Sequence, residues 1–184
     1  HPFISSGVAI ASSATIGQGT IIQPNVFIGN NVRIGDNCLI HSNVSIYDHT
    51  VIGDNVTIHA NTVLGADAFY YKKRPEGYDK LLSGGKVVIS DNVDLGASCT
   101  IDRGVSGETF IGKGTKIDNN VHIGHDTRIG ENCLFASQGG IAGCVVVEDN
   151  VTLWGQVGVT SGISIGAGAV VFAQSGISKS LAGG

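Results

Sequence analysis

The sequence predicts an all-β chain wound as a parallel β-helix of six-residue repeats, and three observations carry that fold class. An aliphatic residue stands at every sixth position, running Ile10, Ile16, Ile22, Ile28, Ile34, Ile40, Ile46, Ile52, Ile58 and Leu64 without a miss. Two places before each comes a small or branched residue, as in Val8, Ala14, Thr20, Val26, Val32, Cys38, Val44, Thr50, Val56 and Thr62. Glycine often follows the aliphatic, as at Gly17, Gly29, Gly35, Gly53 and Gly65. Neither an α-helix nor a simply alternating strand gives this period. The repeat itself is the structural unit, one short face with two inward side chains and a turn in which glycine is expected to supply positive φ.

Taken in order, the pattern breaks first between about 66 and 86. There Phe69-Tyr70-Tyr71-Lys72-Lys73-Arg74-Pro75 and Tyr78 concentrate aromatic and basic residues, and a loop rather than a coil is expected. The repeat resumes at Ile89, Leu95 and Ile101, carries four extra residues at about 103–107, and then runs from Ile111 through Ile117, Ile123, Ile129, Phe135, Ile141, Val147, Leu153, Val159, Ile165 and Val171 to Ile177. Over nearly its whole length the chain resembles the hexapeptide-repeat proteins. That resemblance implies a single left-handed β-helix domain over 1–184, three faces to the coil, with loop insertions at about 66–86 and 103–107. Stacked at about 4.8 Å, about eight coils would make a prism roughly 40 Å long.

With three units to a coil, Ile10, Ile28, Ile46, Leu64, Ile101, Ile123, Ile141 and Val159 fall on one edge. The long insertion leaves that edge after Leu64 and the short one after Ile101. His122 and His125 flank Ile123 on the same edge. Repeat proteins place insertions where they bind, so this edge is the candidate site.

Composition excludes other classes. A net charge of −4 and a pI near 5.8 leave no basic field for nucleic acid. No window approaches the roughly 18 apolar residues of a membrane span, and a cytoplasmic location is expected. The four cysteines form no CxxC or Cys/His cluster, and the histidines lack the spacing of the three converging ligands in trimeric β-helix hydrolases. No metal is expected. Cys38, Cys99 and Cys133 occupy the small-residue position and read as buried hydrophobes, whereas Cys144 lies off it. His41, His49 and His59 are expected at the surface.

An imidazole is the side chain best matched to taking a proton at neutral pH, which makes His125 a candidate general base with His122 beside it. Asp126 or a backbone carbonyl could fix its tautomer. Eighteen residues on, Gly143 stacks over His125 and Gly140 over His122, so Gln138-Gly139-Gly140-Ile141-Ala142-Gly143-Cys144 leaves room for a thin chain and a bare N–H to meet an oxyanion. Nothing near Cys144 would activate it as a nucleophile, which favours direct transfer over a covalent intermediate.

Four motifs sharpen this reading: Gly65-Ala66-Asp67-Ala68-Phe69, Ile101-Asp102-Arg103-Gly104, Ile117-Asp118-Asn119 and Ile123-Gly124-His125-Asp126. From about Pro2 to Leu181 the chain resembles the UDP-3-O-(3-hydroxyacyl)glucosamine N-acyltransferases of lipid A synthesis. The resemblance implies a homotrimer with sites between subunits, a 3-hydroxyacyl group on acyl carrier protein, an amine acceptor on a UDP-linked sugar, and no cofactor. It assigns the base to His125 and the oxyanion amide to Gly143, with Phe69, Asp102, Asp118, Asn119, His122 and Gly140 toward the substrate. Gly162 stands where that family has a second histidine and Ala68-Phe69 where it has Gly-Phe. Its uridine-binding domain and C-terminal helices have no counterpart in these 184 residues. An acetyl-CoA-dependent N-acetyltransferase of a nucleotide amino sugar, and a non-catalytic trimeric scaffold, are the alternative expectations.

Overall fold

The computed structural model describes residues 1–184 and contains no helix. Short strands, most of two residues, form three parallel sheets, two of nine strands and one of eight, which are the three faces of a left-handed β-helix. Most coils repeat at 18 residues, with Ile10 paired to Ile28 and Ile22 to Ile40. The long insertion lengthens one coil so that Leu95 pairs with Ile58, and the short one pairs Ile123 with Ile101. Neither shifts the columns, because each is looped out at a corner. The prism is longer than the eight coils expected from one edge, since Gly176–Ile177 adds a ninth strand to that face.

The aliphatic columns and their small partners form one cluster of 37 buried residues. At the small position, threonine and cysteine also tie down the turns. Thr20 donates from Oγ1 to Gly35 O at 2.8 Å and accepts from Cys38 N at 3.0 Å, while Cys38 donates from Sγ to Gly53 O at 3.1 Å. Thr62 with Cys99 and Thr115 with Cys133 repeat the arrangement. Burial pushes these three thiols above their ordinary titration range, as expected for cysteines used as packing.

One expectation is corrected. Positive φ does not belong to the glycine after the aliphatic, except at Gly65 (φ 87°), where the long insertion departs. It falls two residues further on, mostly at asparagines such as Asn25, Asn31 and Asn37, which tolerate the left-handed region. Gly17, Gly29, Gly35 and Gly53 have ordinary φ and are glycine for space: a Cβ on Gly17 would run into the backbone of Gly35 in the next coil. The long insertion is the loop expected there, and it contains two paired strands. Tyr71–Arg74 and Gly77–Lys80 pair as an antiparallel hairpin, Tyr71 opposite Lys80. All eight strand residues are exposed, with Arg74–Asp79 and Lys80–Asp67 ion pairs at 2.7 and 2.5 Å.

Candidate active site

The face running from Ala9–Ile10 to Gly176–Ile177 carries the site. His122 starts a strand of this face and points outward, exposed; Ile123 points inward and is buried; His125 lies in the turn beyond, at the corner from which both insertions emerge. A groove of about 670 Å³ runs along the corner, lined by Phe69, Asp102, His122, His125, Gly140 and Gly143 together with Gly124, Gly158 and Ser161. Six of the eight residues expected at the site are therefore gathered in one place.

His125 Nδ1 lies 2.9 Å from Asp126 Oδ2. A carboxylate only accepts, so Nδ1 carries the proton and the lone pair sits on Nε2. The structure thus selects Asp126 over a backbone carbonyl. Asp126 has φ 56° in the left-handed turn position, and it is held from two sides: Oδ2 accepts from Val105 N at 2.9 Å, and its own N–H donates to Thr109 Oγ1 at 2.9 Å. Val105 belongs to the short insertion. The four extra residues thereby have a job, which is to deliver a donor to the group that orients His125.

Nε2 faces Gly143. A Cβ added at that glycine would lie 2.6 Å from His125 Nε2, so only glycine leaves the ring where it is. The N–H of Gly143 donates to no group in the chain, whereas the flanking Ala142 and Cys144 amides bond to Val159 O and His125 O. The reason lies one coil on. In other turns the equivalent amide is capped from the next coil by an Asp Oδ1, as Asn30 is by Asp48, Asp36 by Asp54 and Glu131 by Asp149. Over Gly143 that position is Ser161, and the amide stays open to the groove.

Asp102 is almost fully buried under His122, its Oδ2 3.8 Å from His122 Nε2, while His122 Nδ1 and Thr100 Oγ1 are 2.8 Å apart. Burial pushes the Asp102 carboxyl upward; the adjacent His122 and His125 pull it back down. Phe69 is largely exposed on the hairpin arm, and its neighbour Tyr70 brings its ring centroid 5.7 Å from that of His125. Gly140 floors the groove, and with Gly158 and Gly176 it forms an outward column where a Cβ would meet nothing within 4 Å. Packing within the chain does not require these glycines. Asp118 and Asn119 lie elsewhere, exposed in the turn that enters the face rather than the one that leaves it, with Asn119 Oδ1 accepting from Ala97 N at 2.7 Å.

Reasoning from the sequence missed Arg103, Tyr70 and Ser161. Arg103 donates from Nε to Gly65 O at 2.7 Å and from Nη2 to Asp48 O at 3.2 Å, clamping the root of the long insertion. Its place in the Ile-Asp-Arg-Gly motif was the available signal. Cys38, Cys99 and Cys133 are buried as expected, and Cys144 is exposed. Its thiol is pushed upward by burial and by Asp126, the reverse of an activated nucleophile. His49 and His59 are exposed, and His41 is half-buried with its ring stacked on His59 at 4.6 Å.

A three-faced parallel coil of six-residue units, with an imidazole, a carboxylate and a free amide gathered at one corner, is the architecture of the hexapeptide-repeat class. The model described as bacterial transferase hexapeptide matches residues 31–66 and 108–143, and that of the hexapeptide repeat of succinyl-transferase matches 144–173. The chain belongs to this hexapeptide-repeat family. Among curated relatives, the UDP-3-O-acylglucosamine N-acyltransferase of Methylobacterium nodulans is 45% identical over 117 residues, which are 64% of this chain and 33% of that protein. Its Campylobacter lari namesake is 42% identical over 120 residues, 65% and 38% of the two chains. The chain thus spans little more than a third of the length of the curated relatives it matches. The solved UDP-N-acetylglucosamine acyltransferase of Francisella novicida superposes with a TM-score of 0.89 at 32% identity, over 97% of this chain and 63% of that one. The enzyme of the same name from Bacteroides fragilis gives 0.88 at 29%, over 96% and 68%. The resemblance drawn from the motifs is borne out by these relatives.

Proposed function

We propose that the groove transfers a 3-hydroxyacyl group from acyl carrier protein to the amine of a UDP-3-O-acyl-glucosamine, with no cofactor. One observation carries the reading: an imidazole aligned by Asp126 turns its free Nε2 toward Gly143, whose N–H bonds to no group in the chain. The acceptor amine attacks the thioester carbonyl, and its proton passes to His125 Nε2 as the C–N bond forms. The carbonyl oxygen becomes an oxyanion that the Gly143 N–H meets. Asp126 stabilises the imidazolium, which returns the proton to the departing thiolate as the C–S bond breaks. Each group acts once in each direction, so the site is restored.

The bare column of Gly140, Gly158 and Gly176 offers a path for an extended acyl chain, which favours a long donor over acetyl-CoA. Asp102, His122 and Phe69 line the sugar end of the groove. Asp118 and Asn119, across the face, reach a substrate that spans it or one held by a neighbouring copy of a homotrimer. No helix of the chain is long and apolar enough to cross a membrane, and a carrier-protein donor places the reaction in the cytoplasm.

The test is single-turnover transfer from hydroxyacyl carrier protein to the UDP-amino sugar by the full-length gene product. His125→Ala is expected to lower the rate by about 10²- to 10⁴-fold, the usual contribution of a general base; a loss of only a few-fold removes His125 from the role. Competition between acetyl-CoA and long-chain carrier-protein thioesters distinguishes the donors. A folded protein that acylates no UDP-amino sugar from either donor is a scaffold.

A further inference from the structure

We propose that His125, Asp126 and Cys144 form a site for a thiophilic divalent cation of the zinc type, and that filling it shuts the transfer groove. Their ligand atoms all lie within 4.8 Å of one another. The set combines one imidazole, one carboxylate and one thiol, which are the three side-chain types zinc takes. Ligands on one tetrahedral zinc are about 3.3–3.7 Å apart, from bond lengths of about 2.0–2.3 Å, so the triangle must contract by about an ångström. The His125–Asp126 pair, at 2.9 Å, opens by about 0.4 Å to reach that spacing, and the inward movement falls to Cys144, whose side chain is exposed.

The fold brings the three together for reasons of its own. Asp126 and Cys144 occupy equivalent left-handed corner positions in successive coils, with φ 56° and 59°, and Cys144 N donates to His125 O at 2.8 Å. Other coils fill this corner mostly with asparagine or glycine. Cys144 is also the one exposed cysteine of the four, so it is not there for packing.

Binding balances in charge and protons. The dication meets one carboxylate and one thiolate; the thiol proton is released to solvent, and the imidazole proton moves from Nδ1 to Nε2 so that neutral His125 binds through Nδ1. A fourth position is left for water. The bound ion takes His125 away from Asp126, so the imidazole can no longer cycle a proton through Nε2 with that partner.

The inhibition rests on the proposed transfer reaction; the binding does not. Cobalt(II) titrated into the full chain is expected to give a near-ultraviolet thiolate charge-transfer band at one equivalent, removed by zinc and missing in Cys144→Ser. Absence of the band in the parent, or its persistence in C144S, overturns the site whether or not the chain transfers acyl groups. For the inhibition, zinc is expected to stop transfer by the parent at a concentration at least about tenfold lower than it needs for C144S, a difference of about 1.4 kcal/mol in binding. Equal sensitivity of the two proteins overturns the shut-off.

Discussion

Gly143 does two things that no other residue could do together: it leaves room for the His125 ring and it presents an amide to the groove. Because its φ is ordinary, alanine would not strain the backbone, and the whole effect of Gly143→Ala should fall on the ring, 2.6 Å from the new carbon. We expect transfer to fall by about 10²-fold or more while the thermal midpoint moves by no more than about 4 °C, the equivalent of about 1 kcal/mol in a chain of this length. Differential scanning calorimetry beside single-turnover kinetics separates the two. Asp126→Asn should also lower the rate by about 10²-fold, since an amide can turn its NH₂ toward Nδ1 and reverse the tautomer. Imidazole nitrogen shifts in an NMR spectrum would show Nε2–H in place of Nδ1–H. The partnership of His125 with Gly143 was legible from spacing alone, because stacking by 18 residues is arithmetic. The choice of Asp126 was not: adjacency in sequence leaves the side chain's direction open until Val105 and Thr109 are seen to hold it.

At the scale of elements, the short insertion acts through a single backbone donor. Val105→Pro deletes the N–H that reaches Asp126 Oδ2 in an exposed or half-buried segment. The expected result is a lower kcat with little change in KM and in the denaturation midpoint; equal loss in Val105→Ala, which keeps the N–H, would show that the donor is not the cause. The core behaves differently. Ile123 is fully buried between Ile101 and Ile141, and Ile123→Ala should cost about 2–5 kcal/mol, read from urea unfolding. Both insertions could be assigned to the correct edge from the sequence, since the hexads on either side kept count. The hairpin inside the long one could not, because Arg74-Pro75-Glu76-Gly77 carries no two-residue turn signature and the pairing is visible only as register. The role of the glycines after the aliphatics was misread for a similar reason. A residue type tells that space or freedom is needed, and only the neighbouring coil tells which.

For the whole molecule, the buried thiols link stability to pH. Cys38, Cys99 and Cys133 titrate above their ordinary value of 9.0 in the folded chain. Above that pH the unfolded chain has lost protons that the folded chain keeps. Stability is therefore full below about pH 9 and falls as the pH rises through the folded values. The urea midpoint should decline in that range, and a triple Cys→Val variant should flatten the decline. A single cooperative transition is not required for this comparison, which matters in a stack where each coil touches only its neighbours.

The looped-out corners that leave the columns undisturbed also define which changes of length the chain can absorb. Each hexad advances the winding by a third of a revolution, so position along the sequence works as a phase angle. Removing residues 12–29, one full revolution, should leave a shorter prism with His125 still beneath the hairpin arm. Removing only 12–17 shifts what precedes the cut, not the site. Removing 90–95 instead, between the two insertions, would turn everything after it by 120° and carry His125 away from Tyr70, while every inward column still found an aliphatic partner. Such a protein would be folded and out of phase.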